Sequence, residues 1–161
     1  MNVLDENIPV DQRQLLRGWK IRTHQIGQDV GRQGMKDDQI IPVLLHLRRP
    51  TFFTRDLGFY RSRLCHERYC LVSLAVGSEE AASFIRRTLR HPQLNTHTKR
   101  MNKVVEVHQN GVRMMELYGT EIRLVTGHLP VDVDRRLSAK ASESGQDVVQ
   151  LIRLAIVRFI A

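Results

Sequence analysis

Three short stretches of this chain place carboxylates where they could act together. Val3-Leu4-Asp5-Glu6-Asn7-Ile8-Pro9 ends an apolar run in two acids, Asp37-Asp38 follows a glycine-rich segment, and Asp56 trails Thr51-Phe52-Phe53-Thr54. Carboxylate oxygens are hard donors that suit Mg²⁺ or Mn²⁺. Such an ion can activate water and offset charge on a phosphodiester being cut. Each residue alone also has a plainer reading. Asp37 and Asp38 suit helix N-caps, Glu6 suits a solvated first-turn acid, and Asp56 suits a cap on the turn before Gly58. It is the combination that points to a metal site.

The elements around these acids can be read in order. Residues 1–5 are an apolar strand. Asn7 and Pro9 start a helix over 9–17, with Val10, Leu15 and Leu16 as its apolar contacts and Gly18 past its end. Lys20 to His24 reads as a second strand. Gly27 to Gly34 is a loop, and no Gly-Lys-Ser/Thr follows to make it a phosphate-binding one. Asp37 or Asp38 caps a second helix that buries Ile40, Ile41, Val43, Leu44 and Leu45 and stops at Pro50. Strands follow at 51–54 and 70–76, then a helix from Glu79-Glu80 to Leu89 with arginines in its last turns. Lys103 to Val107 and Val112 to Tyr118 form a hairpin about Asn110-Gly111. The order β-α-β-α-β-β-α-β-β predicts an α/β domain over 1–118, a mostly parallel sheet flanked by helices. Such sheets bind ligands beyond the carboxyl ends of their strands, where Asp5, Asp37 and Asp56 would fall.

Residues 119–161 read as a separate segment. Glu121 to Thr126 is a strand, 131–142 a short helix, and 146–159 a helix that is apolar nearly all round. A helix of that kind is buried against something, and the segment is too small to bury it alone.

Totals narrow the class. The net charge of +8, with a pI near 10.2, favours a polyanionic partner such as nucleic acid. An apolar share of 42% supports a real core. The two cysteines, Cys65 and Cys70, lack further ligands at zinc spacing and read as reduced structural thiols. No apolar run suits a membrane span or a signal peptide, so a cytoplasmic chain is expected.

With these residues in place, Leu4-Asp5-Glu6-Asn7-Ile8-Pro9, Gly34-Met35-Lys36-Asp37-Asp38-Gln39-Ile40 and Thr54-Arg55-Asp56-Leu57-Gly58-Phe59 resemble the signature segments of a PIN-like nuclease family. Many of its members resemble the toxin half of toxin–antitoxin pairs. The resemblance spans roughly residues 1–117. It implies an Mg²⁺- or Mn²⁺-dependent endoribonuclease with Asp5, Asp37 and Asp56 as catalytic, metal-binding carboxylates. Glu6 and Asp38 would assist at the metal, with Thr54 a polar neighbour. Arg55, Arg61, Arg63 and Arg68 would track the RNA backbone. Gly58 departs from the pattern, since many relatives carry a second acid there.

Leu129-Pro130-Val131-Asp132-Val133, Leu137, Ala141, Gly145 and Leu151-Ile152-Arg153-Leu154-Ala155-Ile156 resemble a ribbon-helix-helix domain over about residues 120–161. That resemblance implies a β-α-α dimerisation segment, as in antitoxins, and hence a homodimer. It implies operator DNA read through a ribbon near Arg123, Thr126 and His128, although Gly127 within the strand departs from the pattern. A cognate antitoxin is a further implied partner. The rival expectation is a non-catalytic DNA-binding regulator on a degenerate PIN-like scaffold.

Overall fold

A computed structural model describes residues 1–119 and 121–129. The helices expected over 131–142 and 146–159 lie outside the described residues.

The strands are β1 (Asn2–Leu4), β2 (His24–Gln25), β3 (Thr51–Thr54), β4 (Cys70–Ala75), β5 (Lys103–His108), β6 (Gly111–Tyr118) and β7 (Glu121–Gly127). They form one sheet in the order β2-β1-β3-β4-β5-β6-β7. β2, β1, β3, β4 and β5 run parallel, and β6 and β7 add antiparallel strands at one edge. The helices are α1 (Val10–Gly18), α2 (Asp37–His46), α3 (Ala81–Arg90) and the single turn α4 (His97–Arg100). Short 3₁₀ turns occupy Leu57–Phe59, Ser62–Leu64 and Ser78–Glu80.

Alternation along the strands explains the layers. Leu4, Phe53, Val72 and Val105 pack with Leu16 of α1 and Phe84 and Ile85 of α3. Val3, Phe52, Leu71 and Val104 point the other way and pack with Ile40 and Leu44 of α2, Phe59 and Tyr69. Both sheet faces are therefore covered, as parallel strands require. The Cys70 thiol lies in the centre, with no exposed surface, and burial pushes its pKa up to about 12.

Four local expectations shift. α1 turns Gln12 inward and leaves Val10 and Leu15 exposed. The reason is a hydrogen bond: Gln12 Oε1 accepts the Ala82 N–H (3.0 Å), satisfying an orphan donor at the start of α3. Lys36 occupies the N-cap position of α2 without a side-chain cap, so Asp37 and Asp38 lie in its first turn, where acids complement the dipole. The strand expected at Lys20–His24 begins only at His24, because the chain first turns off α1. The N–H of Ile21 donates to Leu16 O and that of Lys20 to Arg17 O, both at 2.9 Å. This is a Schellman closure with Lys20 at its left-handed position, φ 60°. The last shift concerns the strand placed with the tail. It is β7, paired with β6 along its length, and the first compact unit runs Met1–Pro130.

Glycine would relieve Lys20 of about 1–2 kcal/mol of left-handed strain, against a gain of about 0.5–1 kcal/mol in unfolded-chain entropy. Lys20→Gly is therefore expected to leave the chain as stable or to stabilise it by roughly 0.5 kcal/mol. Urea denaturation of the two proteins measures this, and a clear loss of stability would contradict the assignment.

Candidate active site

β1 is where the strand order reverses. The chain leaves β1 for β2 on one side, crosses back over α2, and enters β3 on the other side. The crevice beyond the carboxyl ends of β1 and β3 is thus the switch point of the sheet, the usual ligand position in open α/β folds. Asp5 directly follows β1, Asp56 lies two residues past β3, and Asp37 opens α2.

Asp5 is almost fully buried, at 9% exposure. Its Oδ2 accepts the Thr54 hydroxyl at 2.5 Å and its Oδ1 accepts the Glu6 N–H at 2.7 Å. Thr54 Oγ1 itself receives two donors, Asn7 Nδ2 (3.0 Å) and the Asp56 N–H (2.9 Å). A hydroxyl has two acceptor sites and one hydrogen. With both acceptor sites filled, that hydrogen must point to Asp5, which fixes Asp5 Oδ2 as an acceptor. The remaining acceptor positions of the carboxylate are left for water or a cation.

Burial and like charge act together on these acids. Burial pushes the Asp5 carboxyl above the usual range. The Thr54 and Glu6 hydrogen bonds oppose this, and the charges of Asp37 and Glu6 add to it. Asp37 lies exposed, yet its carboxyl is also raised, by partial desolvation and then by the charge of Asp56. Arg61 opposes that rise and Asp38 adds to it. Asp56 caps the 3₁₀ turn after it, its Oδ1 accepting the Gly58 N–H at 2.6 Å. A Cβ on residue 58 would sit 2.9 Å from that oxygen, so an acid at Gly58 would displace Asp56 from its cap.

The other expected residues divide. Glu6 turns to the glycine loop, where its Oε1 accepts the Gly34 N–H at 2.8 Å and sits 2.7 Å from where a Cβ on Gly27 would be. Asp38 lies exposed in the first turn of α2. Arg55 and Arg61 are exposed near the acids, and the Arg55 N–H donates to Asn7 Oδ1 at 3.1 Å. Arg63 is exposed on a 3₁₀ turn. Arg68 precedes β4, at the end of the sheet away from Asp5. On β7, Arg123 lies over the Tyr118 ring (4.1 Å). Thr126 pairs in register with Arg113 and His128 follows the strand, so Arg123 and Thr126 point to opposite faces.

Sequence reasoning missed a row of polar groups on the α2 face. Thr54, Ser73, Glu106 and Arg113 stand in register across β3, β4, β5 and β6. Ser73 Oγ donates to Asp56 O at 3.1 Å. Glu106, only 8% exposed, accepts from Arg113 Nε at 2.6 Å, and the Arg113 guanidinium lies 5.9 Å from the Tyr60 ring. The signal was present, since Glu106 is a lone acid inside Val104-Val105-Glu106-Val107.

Among the described residues, no group of three or more His, Cys, Asp or Glu side chains stands close enough to cage a metal. The donor chemistry instead fits a magnesium-type ion that keeps most of its waters and takes one or two carboxylates. No helix among the described residues is long and apolar enough to cross a membrane. No protein-family model matches the chain, and no curated protein or solved structure matches it either.

Both raised carboxyls lie above their unfolded values. The stability they contribute is therefore fullest below the ordinary carboxylate pKa and is lost as pH rises through the native values. Two substitutions should move Asp5 in opposite directions in a carbon-13 NMR titration. Asp37→Asn removes a like charge and should lower its pKa, while Thr54→Val removes a donor and should raise it. Thr54→Val should also cost about 1–3 kcal/mol in urea unfolding, because it strands two N–H donors and a buried carboxylate. An Asp5 titration unmoved by either change would dissolve the cluster.

Proposed function

We propose that this chain is a metal-dependent endoribonuclease, the toxin component of a toxin–antitoxin pair. The observation that carries the reading is Asp5. It is a buried carboxylate at the switch point, with one oxygen fixed as an acceptor by a committed hydroxyl, and it is coupled in charge to Asp37, which is coupled in turn to Asp56. The basic excess of the chain and the exposed Arg55 and Arg61 support a polyanionic substrate.

Asp5, with Asp37 or Asp56, would hold Mg²⁺ or Mn²⁺. When bound, the ion lowers the pKa of water and offsets phosphate charge. The protein's part is to fix Asp5 Oδ2 through Thr54 and to keep Asp37 close enough that a cation relieves their repulsion. Arg55 and Arg61 then hold the flanking phosphates. The reaction is hydrolysis: a water oxygen bonds to phosphorus, one P–O ester bond breaks, and a proton passes to the leaving oxygen. The segment over 119–161 would dimerise the chain, contact operator DNA near Arg123, Thr126 and His128 and restrain the nuclease, a role that rests on its resemblance to ribbon-helix-helix antitoxins.

The test is cleavage of mixed structured RNAs by the full chain with Mg²⁺, with Mn²⁺ and with EDTA. Cutting should need the metal, and Asp5→Asn should slow it by about 10²-fold or more. Cutting that persists in EDTA, or an equally active Asp5→Asn protein, would sink the catalytic reading. Tight duplex DNA binding without any cleavage would favour the regulator instead.

A further inference from the structure

The end of the sheet away from Asp5 carries a second charged feature. Where α1 closes and β2 begins, a cavity of about 540 Å³ is lined by Arg13, Arg17, Lys20, Arg22 and His24 among other residues, with no acid in its lining. Arg13 is engaged: its guanidinium pairs with Asp29 at 2.5 Å. Arg17, Lys20 and Arg22 are exposed, and no side-chain hydrogen bond or ion pair to another described residue is found for them. The carbonyl end of α1 helps to seat cations here. It accounts for Arg17 in the last turn and leaves Lys20 and Arg22, outside the helix, without a structural use.

Lys20 is the second, independent observation. It holds the left-handed position of the Schellman closure, φ 60°, where glycine is the residue the backbone favours. The backbone at this point favours glycine over lysine. Strained residues of this kind mark places where a side chain is needed for another purpose. Beside it Trp19, the only tryptophan of the chain, is 36% exposed and carries the Arg86 guanidinium 4.6 Å from its ring. Unpaired cations next to an exposed aromatic are the elements that hold single-stranded nucleic acid, through phosphates and base stacking.

We infer that this cavity binds the phosphodiester backbone of a single-stranded nucleic acid, at a site separate from the acids. The inference rests on the nuclease reading only in naming that strand as the flank of the substrate. Asn2 Nδ2 donates to Arg22 O at 3.1 Å, so Arg22 lies level with the first residue of β1. That places it ~10 Å along the strand direction from Asp5, a distance a flexible strand can wrap.

The test measures binding, not cleavage. An oligouridylate and an oligodeoxythymidylate of about 12 nucleotides are titrated into the full chain in EDTA, at several salt concentrations, by anisotropy and by Trp19 fluorescence. Inorganic phosphate serves as competitor. Lys20→Gly should keep its Tm and lose affinity several-fold. The triple variant Arg17→Ala, Lys20→Gly, Arg22→Ala should lose at least tenfold and flatten the salt slope by about 2, at roughly 0.7 per cation for single strands. Equal affinity and slope in the triple variant would overturn the inference. So would a Trp19 response to inorganic phosphate with none to either oligonucleotide, which would make this a free-anion site. Cleavage that needs Asp5 but ignores the triple variant would remove this inference and leave the nuclease reading intact. Binding without any cleavage would do the reverse.

Discussion

The hydrogen bond from Thr54 to Asp5 ties together the parts of this structure that matter for chemistry. It joins the end of β1 to the end of β3, the two strands that flank the reversal of strand order. Its direction is not free, because Asn7 and the Asp56 N–H fill the acceptor sites of the hydroxyl. A single side chain thereby orients the carboxyl of Asp5, the entry into α1 through Asn7, and the position of Asp56. Such a network is costly to break in part, since each member leaves another unsatisfied.

Much of this was legible in the sequence, for identifiable reasons. β1, β3 and β4 are short apolar runs bounded by polar residues, and Asn110-Gly111 marks its hairpin without ambiguity. The places of Asp5, Asp37 and Asp56 at strand ends and a helix start were readable; the charge coupling of Asp5 to Asp37 and of Asp37 to Asp56 was not. What was not legible depends on partners remote in sequence. Gln12 is buried because Ala82 needs an acceptor seventy residues on. Glu6 adjoins Asp5 but faces the glycine loop, since successive residues point apart once the strand ends. Glu106 is hidden in an apolar strand, and only the register across the sheet shows that it shares a row with Thr54 and Ser73.

The same acids also work against folding. The Asp5 carboxyl is raised by burial and by the charge of Asp37, and the Asp37 carboxyl by burial and by the charge of Asp56, so the folded chain loses stability as pH rises through their native values. Lys20 does so on the backbone, in a left-handed conformation that a smaller residue would fill more cheaply. Stability is given up at both ends of the sheet, at a buried acid on one and an exposed lysine on the other.

Cys70 carries a consequence of a different kind. Its sulfur sits at the start of β4, the central strand, between β3 and β5, sealed from solvent and with its thiolate form suppressed. No local fraying of a helix end or loop exposes it; the sheet itself must open. An alkylating reagent will therefore meet this thiol only in globally unfolded molecules, so that modification of Cys70 dates the opening of the whole domain, while the half-buried Cys65 records smaller motions of the segment before it.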